Sequence, residues 1–432
     1  MTKLARDGGP KVRERPFPRR RTMGDAEKKA AHDVIDSDDL STFLGGPGPY
    51  FWGGERVRAF ERAWAERFGY RHAVSVNSWT SGLYAALGAV GLGPGDEVLC
   101  TPYSMSATAT TILLWGALPV FGDVDPRTFN LDPSKLEALI TPRTRAIMVA
   151  HIFGLPADMD GIAAVAKKHG LRVIEDGAQS PMATYRGRNV GGLVDLGGFS
   201  LNYHKHVHTG EGGVIVTDDE DLAKRCALIR NHGENVAETI GVTDGINVLG
   251  HNLRLTELQA AIGLAQLERV SGYVARRQEL AAYFARGLAR FPFLSAPHVP
   301  EGSTHAYYVY PVLFDEQGFG APRRAFVEAV NAELPTPEIP EQTVFSEGYV
   351  RPLYWNDLYQ RRRAIGRGGF PFDLAPEGWP RYARGECPVV ERLHLSQMLV
   401  SSLVREPLEE ADLDDVLRAI DKVASARASL AR

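Results

Sequence analysis

Cysteine is scarce: Cys100, Cys226 and Cys387 lie far apart with no CxxC pair, which excludes a disulfide scaffold and a zinc knuckle. No apolar run approaches the ~20 residues needed to cross a bilayer. The basic N-terminus has no apolar stretch behind it, so no secretory signal and no membrane partner are expected. Neither sign of charge dominates. Lys and Arg number 49 against 53 Asp and Glu, a net charge of −4, so nucleic acid is not an expected partner. A Gly-rich loop, GGPGPYFWGG (45–54), is not followed by Gly-Lys-Ser/Thr, and a P-loop is excluded. What remains is the composition of an ordinary soluble protein, expected in the cytoplasm. Its 432 residues exceed the roughly 100–200 of one domain, so two structural units are expected.

Residues 1–24 read as an N-terminal arm whose basic run, Arg19–Arg20–Arg21, is expected to be solvated. Helical periodicity starts at Glu55, with Val57, Phe60, Trp64 and Phe68 on one face. Short apolar runs follow at 73–76, 97–100, 119–124, 146–153, 172–177, 197–202 and 213–217, with helical stretches such as Lys135–Ile140 and Ile162–His169 between several of them. Strands alternating with helices specify βαβ units. The predicted architecture is therefore α/β: residues 25–284 form a large domain with a mostly parallel seven-stranded sheet flanked by helices. A long helix is expected at about Thr256–Ala282. Residues 285–432, punctuated by Pro and ending in a helix near Glu409–Ser425, read as a smaller α+β domain.

Ligands of an open parallel sheet bind outside the carboxyl ends of its strands, so the polar residues that follow the apolar runs are the candidates. Four segments qualify: NSWTS (77–81), HIFGLP (151–156), EDGAQS (175–180) and SLNYHKHVHTGEGG (200–213). Asp176, closing a strand, offers a carboxylate to a cationic ring nitrogen. Ser78, Thr80 and Ser81 at a helix start offer hydroxyls and free N–H groups to a phosphate. Lys205 offers an amine able to form a Schiff base once its pKa is lowered. That set is what pyridoxal 5′-phosphate (PLP) requires. Taken singly, each residue has a plainer reading, Asp176 as a helix cap and Lys205 as one solvated lysine among many. His204, His206 and His208 alternate along a loop and fix no metal geometry, so no metal is expected.

The run SLNYHKHVHTGEGGVIVT resembles the Schiff-base segment of the DegT/DnrJ/EryC1/StrS sugar aminotransferases, PLP enzymes of fold type I in the aspartate aminotransferase superfamily. Six further segments resemble the family in its order: GPYFWGGERVRAFE (48–61), GLGPGDEV (91–98), ALPVFGDVDP (117–126), HIFGLPADMD (151–160), VIEDGAQS (173–180) and GHNLRLTELQAAIGLAQL (250–267). The resemblance implies that Lys205 is the Schiff-base lysine and Asp176 the partner of the pyridine nitrogen. Gln179 would contact the ring's 3-oxygen, and Ser200, with Thr80 and the turn 78–80, the phosphate. Asn252 would reach a phosphate across a homodimer interface, giving shared active sites, and the aromatics Tyr50, Phe51 and Trp52 would supply anchors there. A branch of the family with His at the lysine position dehydrates sugars instead. Here the lysine is in register with GEGG, so aminotransfer is favoured over a dehydratase or a non-catalytic sensor on the same scaffold.

Two positions depart from the family pattern. Ser78-Trp79-Thr80 stands where Ser-Gly-Thr is usual, so the Trp79 side chain is expected to point away from the turn. Met105 takes the place of the aromatic residue that stacks on the pyridine ring, a contact a thioether also makes favourably. The resemblance implies ping-pong transfer from an amino donor, L-glutamate, to a keto-sugar or related keto-carbohydrate. His151, Arg254 and His305 are candidates for substrate contacts, and read equally well as a cap, a surface ion pair or a satisfied core histidine. Arg361, Arg362, Arg363 and Arg367 in one loop-like run would clasp an anion or stay solvated.

Overall fold

The structure is a computed structural model and describes residues 3–339 and 343–430. Seven strands form its main sheet: β1 (His72–Val76), β2 (Glu97–Cys100), β3 (Leu118–Phe121), β4 (Thr144–Ala150), β5 (Arg172–Asp176), β6 (Leu196–Ser200) and β7 (Gly213–Thr217). Their order is β1-β7-β6-β5-β4-β2-β3. Only β7 runs against its neighbours; the pairs β6-β5, β5-β4, β4-β2 and β2-β3 are parallel. Strands covered on both faces read as continuous apolar runs, and β2, β3 and β7 are buried along their whole lengths.

Helices α1 (Asp25–Ser37), α2 (Glu55–Phe68), α3 (Trp79–Ala89), α4 (Ala107–Leu114), α5 (Met159–His169) and α6 (Glu220–Arg230) surround this sheet. Their ends follow ordinary capping chemistry. Ser78, Asp158 and Asp219 cap α3, α5 and α6. The N-terminus of α2 has no cap of its own. It is served from a distance by the buried Glu257 carboxylate, which accepts the N–H groups of Gly54 (3.1 Å), Arg56 (2.8 Å) and Val57 (3.4 Å). The stretch Lys135–Ile140, expected to be helical, forms only two short 3-10 turns.

The long helix expected at about Thr256–Ala282 is two helices, α7 (Glu257–Leu267) and α8 (Val270–Leu288). No Gly or Pro marks the break. Gln266 and Arg269 on either side of it both reach the Thr22 carbonyl and the Glu27 carboxylate, and the chain turns to deliver them. A second, antiparallel sheet contains β8 (Leu294–Ser295), β9 (Tyr310–Phe314), β10 (Ser346–Glu347) and β11 (Met398–Ser401), in the order β8-β9-β11-β10. Phe284 and Leu288 of α8, Phe326 of α9 (Arg323–Ala332) and Val416 and Ile420 of α10 (Glu410–Ser425) share a core with it.

The N-terminal arm is not a solvated tail. Leu4 and Phe17 sit in the second core, and Arg13 is buried between Asp412 (2.7 Å) and Asp415 (2.9 Å). Arg20 is half-buried, with its side chain only 9% exposed, contrary to expectation, while Arg19 and Arg21 are exposed. The C-terminal stretch folds back over the main sheet's edge. Tyr354, Tyr359 and Tyr382 surround Phe121 of β3, and the Tyr382 hydroxyl donates to the Pro119 carbonyl at 2.9 Å. This covers an edge strand that would otherwise offer unpaired backbone groups. Arg362 is spent on the same task, donating to the carbonyls of Trp379 and Pro380 (both 2.9 Å).

Candidate active site

Because β1, β4, β5 and β6 all run the same way, their carboxyl ends share one edge of the sheet, and β7 begins at that edge. The residues that follow those strands therefore converge. Ser78, Trp79, Thr80, Met105, His151, Asp176, Gln179, Ser200 and Lys205 line one cavity of about 360 Å³. Asn202, Glu211, Tyr308 and Tyr349 complete its wall. The two tyrosines come from irregular loops of the last third, where no periodicity signals a role.

Lys205 is buried, and its Nζ lies 4.3 Å from the centroid of the Tyr308 ring. Burial lowers the amine's pKa from the ordinary 10.5 to about 8, against the opposing pull of the Asp176 carboxylate. A buried clamp holds this segment. Arg20 donates to the backbone carbonyls of Lys205 (2.8 Å) and His206 (2.6 Å) and pairs through Nε with Glu406 (2.7 Å). The other Glu406 oxygen takes Arg277 Nε at 3.0 Å, and Arg277 Nη1 donates to the carbonyls of Tyr307 (3.0 Å) and Tyr308 (3.4 Å). One carboxylate thus orients two guanidinium groups that fix Lys205 and the tyrosine facing it. Burial pushes the Glu406 carboxyl up, but Arg277 and Arg20 outweigh it and hold it below the usual range.

Asp176 is buried at the end of β5 with three donors around it. Its Oδ1 accepts from Trp79 Nε1 (2.7 Å) and the Ala178 N–H (3.2 Å), and its Oδ2 from the Thr108 hydroxyl (2.7 Å). The Trp79 side chain, expected to point away from its own turn, reaches Asp176. Its indole is buried and turned onto the carboxylate. A carboxylate oxygen has two acceptor sites, so among the described residues Oδ1 is filled and Oδ2 keeps one site open. Gln179 spans the cavity wall, accepting the Phe153 N–H at 2.6 Å and donating to the Tyr349 hydroxyl at 3.1 Å.

At the opposite lip, the Ser78 side chain caps α3 by accepting the Ser81 N–H at 3.1 Å. The first N–H groups of a helix, here those of Trp79 and Thr80, have no intrahelical partner and form an anion cradle beside the Thr80 side chain. Ser200 Oγ accepts the Asn202 N–H at 3.3 Å. Met105 is 55% exposed, and its sulfur accepts the Ala107 N–H at 3.0 Å.

The remaining candidates are placed differently. His151 borders the cavity, but Nδ1 accepts the Ala157 N–H (3.1 Å), so Nε2 donates to Glu175 (3.0 Å) and both nitrogens are filled. His305 lies off the cavity, stacked on Tyr307 at 3.9 Å, with Nδ1 accepting the Tyr307 N–H. Burial lowers its pKa to about 3. Arg254 also lies off the cavity and donates to Asn231 Oδ1 at 2.8 Å. Asn252 is exposed and away from its own chain's cavity. His206 and His208 turn to the Ala306 carbonyl and the Thr22 hydroxyl respectively, so they do not converge on a point.

The donor set fits PLP. The open acceptor site of Asp176 suits the ring nitrogen, the Lys205 amine suits the aldehyde, and the start of α3 suits the phosphate. The lowered amine pKa has a direct consequence. Acetylation of Lys205 in the cofactor-free protein is expected to rise with pH and reach half its maximum near pH 8, while exposed lysines follow the ordinary value of about 10.4. Peptide mass spectrometry across a pH series reads both, and a Lys205 midpoint near that of the exposed lysines would contradict the burial argument.

Comparisons with known proteins agree with this geometry. The sequence profile of the DegT/DnrJ/EryC1/StrS aminotransferase family matches residues 47–365. The chain is 42% identical over 302 residues to GDP-perosamine synthase of Caulobacter vibrioides, covering 70% of this chain and 79% of that one. It is 35% identical to L-glutamine:scyllo-inosose aminotransferase of Streptomyces griseus, with 97% of each chain covered. Among solved structures, an aminotransferase from Psychrobacter cryohalolentis superposes with a TM-score of 0.79 at 30% identity, covering 96% of this chain and all of that one. The family profile and these relatives show that the chain belongs to the PLP-dependent DegT/DnrJ/EryC1/StrS aminotransferase family.

Proposed function

We propose that the protein transfers the amino group of an L-α-amino acid, L-glutamate or L-glutamine, to the ketone of a polyhydroxylated ring, a keto-sugar or keto-cyclitol. The observation that carries this reading is the buried Lys205 amine, with its pKa lowered to about 8, sharing one cavity with Asp176. When bound, PLP supplies an electron sink for cleavage of a C–H bond beside nitrogen. The chain's own residues do the rest. Asp176 holds a proton on the ring nitrogen. The Lys205 amine, largely neutral above pH 8, would move a proton from the donor's α-carbon to the carbon that bore the aldehyde, and in the second half would move one from that carbon to the acceptor's former ketone carbon. Tyr308, whose ring faces the Lys205 amine, and Tyr349 help to line the cavity.

The resemblance names L-glutamate as donor, while the Streptomyces griseus relative, which aligns nearly end to end, is named for L-glutamine. The acceptor class rests on the two relatives' names, one a sugar product and one a cyclitol ketone. The PLP-loaded protein tests both. L-glutamate or L-glutamine is expected to discharge its visible absorption band, and a keto-sugar or keto-cyclitol to restore it. Lys205→Ala is expected to slow the discharge by about 10³-fold or more. Failure of both donors would overturn the reading.

We also propose a homodimer with shared sites, in which Asn252 serves the partner's phosphate cradle. Supporting it, Asn252 is exposed and remote from its own cavity, and Leu44, Tyr50, Ile246 and Leu249 leave apolar surface uncovered. Of the three expected aromatic anchors, Phe51 is buried in its own chain and Trp52 packs on it at 5.2 Å, which leaves Tyr50 for an interface. Mixing inactive Lys205→Ala protomers with impaired Asn252→Ala protomers is expected to restore activity, because a mixed dimer carries both lesions in one site and none in the other. No recovery after confirmed subunit exchange would contradict the shared site.

A further inference from the structure

The contact between Trp79 and Asp176 is one that the Ser-Gly-Thr turn implied by the resemblance would not provide. A glycine at that turn has no side chain to offer; here an indole fills the space below the carboxylate. The surrounding sequence makes room for it. A Cβ on Gly82 would lie 2.5 Å from the Trp79 ring, and one on Gly198 would lie 2.7 Å from it. The indole is 5% exposed and belongs to the core beneath the cavity. Its one polar atom, Nε1–H, is therefore desolvated and needs a partner. The partner is Asp176 Oδ1 at 2.7 Å.

The geometry divides the carboxylate's acceptor sites. Oδ1 is filled by the indole and by the Ala178 N–H, and Thr108 takes one site on Oδ2. Thr108 is itself braced by the Ser104 hydroxyl at 2.9 Å. A carboxylate with one oxygen anchored twice and the other once cannot rotate freely about its Cβ–Cγ bond. Its last open site then faces one direction. We propose that Trp79 is a positioning residue: its indole N–H pins the Asp176 carboxylate so that the open site on Oδ2 meets the ring nitrogen of PLP. This rests on the reading that Asp176 faces that nitrogen. Without the indole contact, Oδ1 keeps only the longer Ala178 N–H bond at 3.2 Å and Thr108 alone holds Oδ2, so the carboxylate is held less firmly and the ring nitrogen with it. The ring then draws less charge from the Lys205 nitrogen and from the reacting carbon. The consequence is a weaker electron sink rather than poorer substrate binding.

Two variants remove the donor. Trp79→Phe keeps an aromatic ring, and replacement of Trp79 alone by 3-benzothienylalanine keeps the whole indole shape with sulfur in place of N–H. In both, the pH at which the visible band of the PLP-loaded protein titrates is expected to rise by about half a unit or more. The dissociation constant of PLP is expected to rise about fivefold. The kcat is expected to fall about tenfold, with KM for the amino donor changing by less than about threefold. Thermal unfolding of the cofactor-free proteins separates a packing defect from a positioning one, since the benzothienyl variant is expected to unfold with the parent. A benzothienyl variant with the parent's band titration and PLP affinity would overturn the proposal, whatever Trp79→Phe does. A parent protein that forms no visible band with PLP would overturn the underlying reading as well.

Discussion

The burial of one ammonium-forming side chain organises the active region of this molecule. An amine taken out of water favours its neutral form, and neutrality is what proton transfer by a lysine requires. Burial also has a cost, and the surrounding structure is arranged to hold the segment in place against it. Arg20 grips the carbonyls of Lys205 and His206, Arg277 grips those of Tyr307 and Tyr308, and Glu406 joins the two guanidinium groups. Three distant stretches of chain meet at that carboxylate. Removing one partner of such a buried network leaves an uncompensated charge, a loss of about 3–5 kcal/mol. The N-terminal arm is therefore part of the site's foundation.

The main sheet explains why the opposing groups arrive together. Asp176 ends β5, Ser200 ends β6 and Ser78 follows β1, so each is delivered to the same edge by a strand whose register is fixed by its buried neighbours. The loop that carries Lys205 joins β6 to the antiparallel β7 and stays at that edge. Rigid elements hold Asp176 and the start of α3, and a clamped loop holds Lys205.

Much of this was legible in the sequence. The strands Glu97–Cys100 and Gly213–Thr217 coincide with apolar runs read directly, and α2 begins at Glu55 as its periodicity requires. Lys205, Asp176 and Gln179 share one cavity, at the sheet edge where motif spacing and position after a strand place them. What escaped was set by long-range contacts that leave no local mark. The break between α7 and α8 has no Gly or Pro, and Arg20 looks like any basic residue in a polar run until Glu406 is placed beside it. The contact of the Trp79 indole with Asp176 is of this kind in part: of the two glycines that make room for the ring, Gly198 lies far along the chain, although Gly82 is only three residues on. His151 and His305 are plausible by chemistry alone, yet both nitrogens of His151 and the Nδ1 of His305 are committed to protein partners.

The account depends on Lys205 being the amine that joins the cofactor, and covalent trapping tests this most directly. Borohydride reduction of the PLP-loaded protein, followed by digestion and mass spectrometry, is expected to leave the reduced cofactor on a peptide containing Lys205 and on no other lysine. Attachment to a different lysine, with Lys205 unmodified, would contradict the assignment and with it the role given to the buried amine.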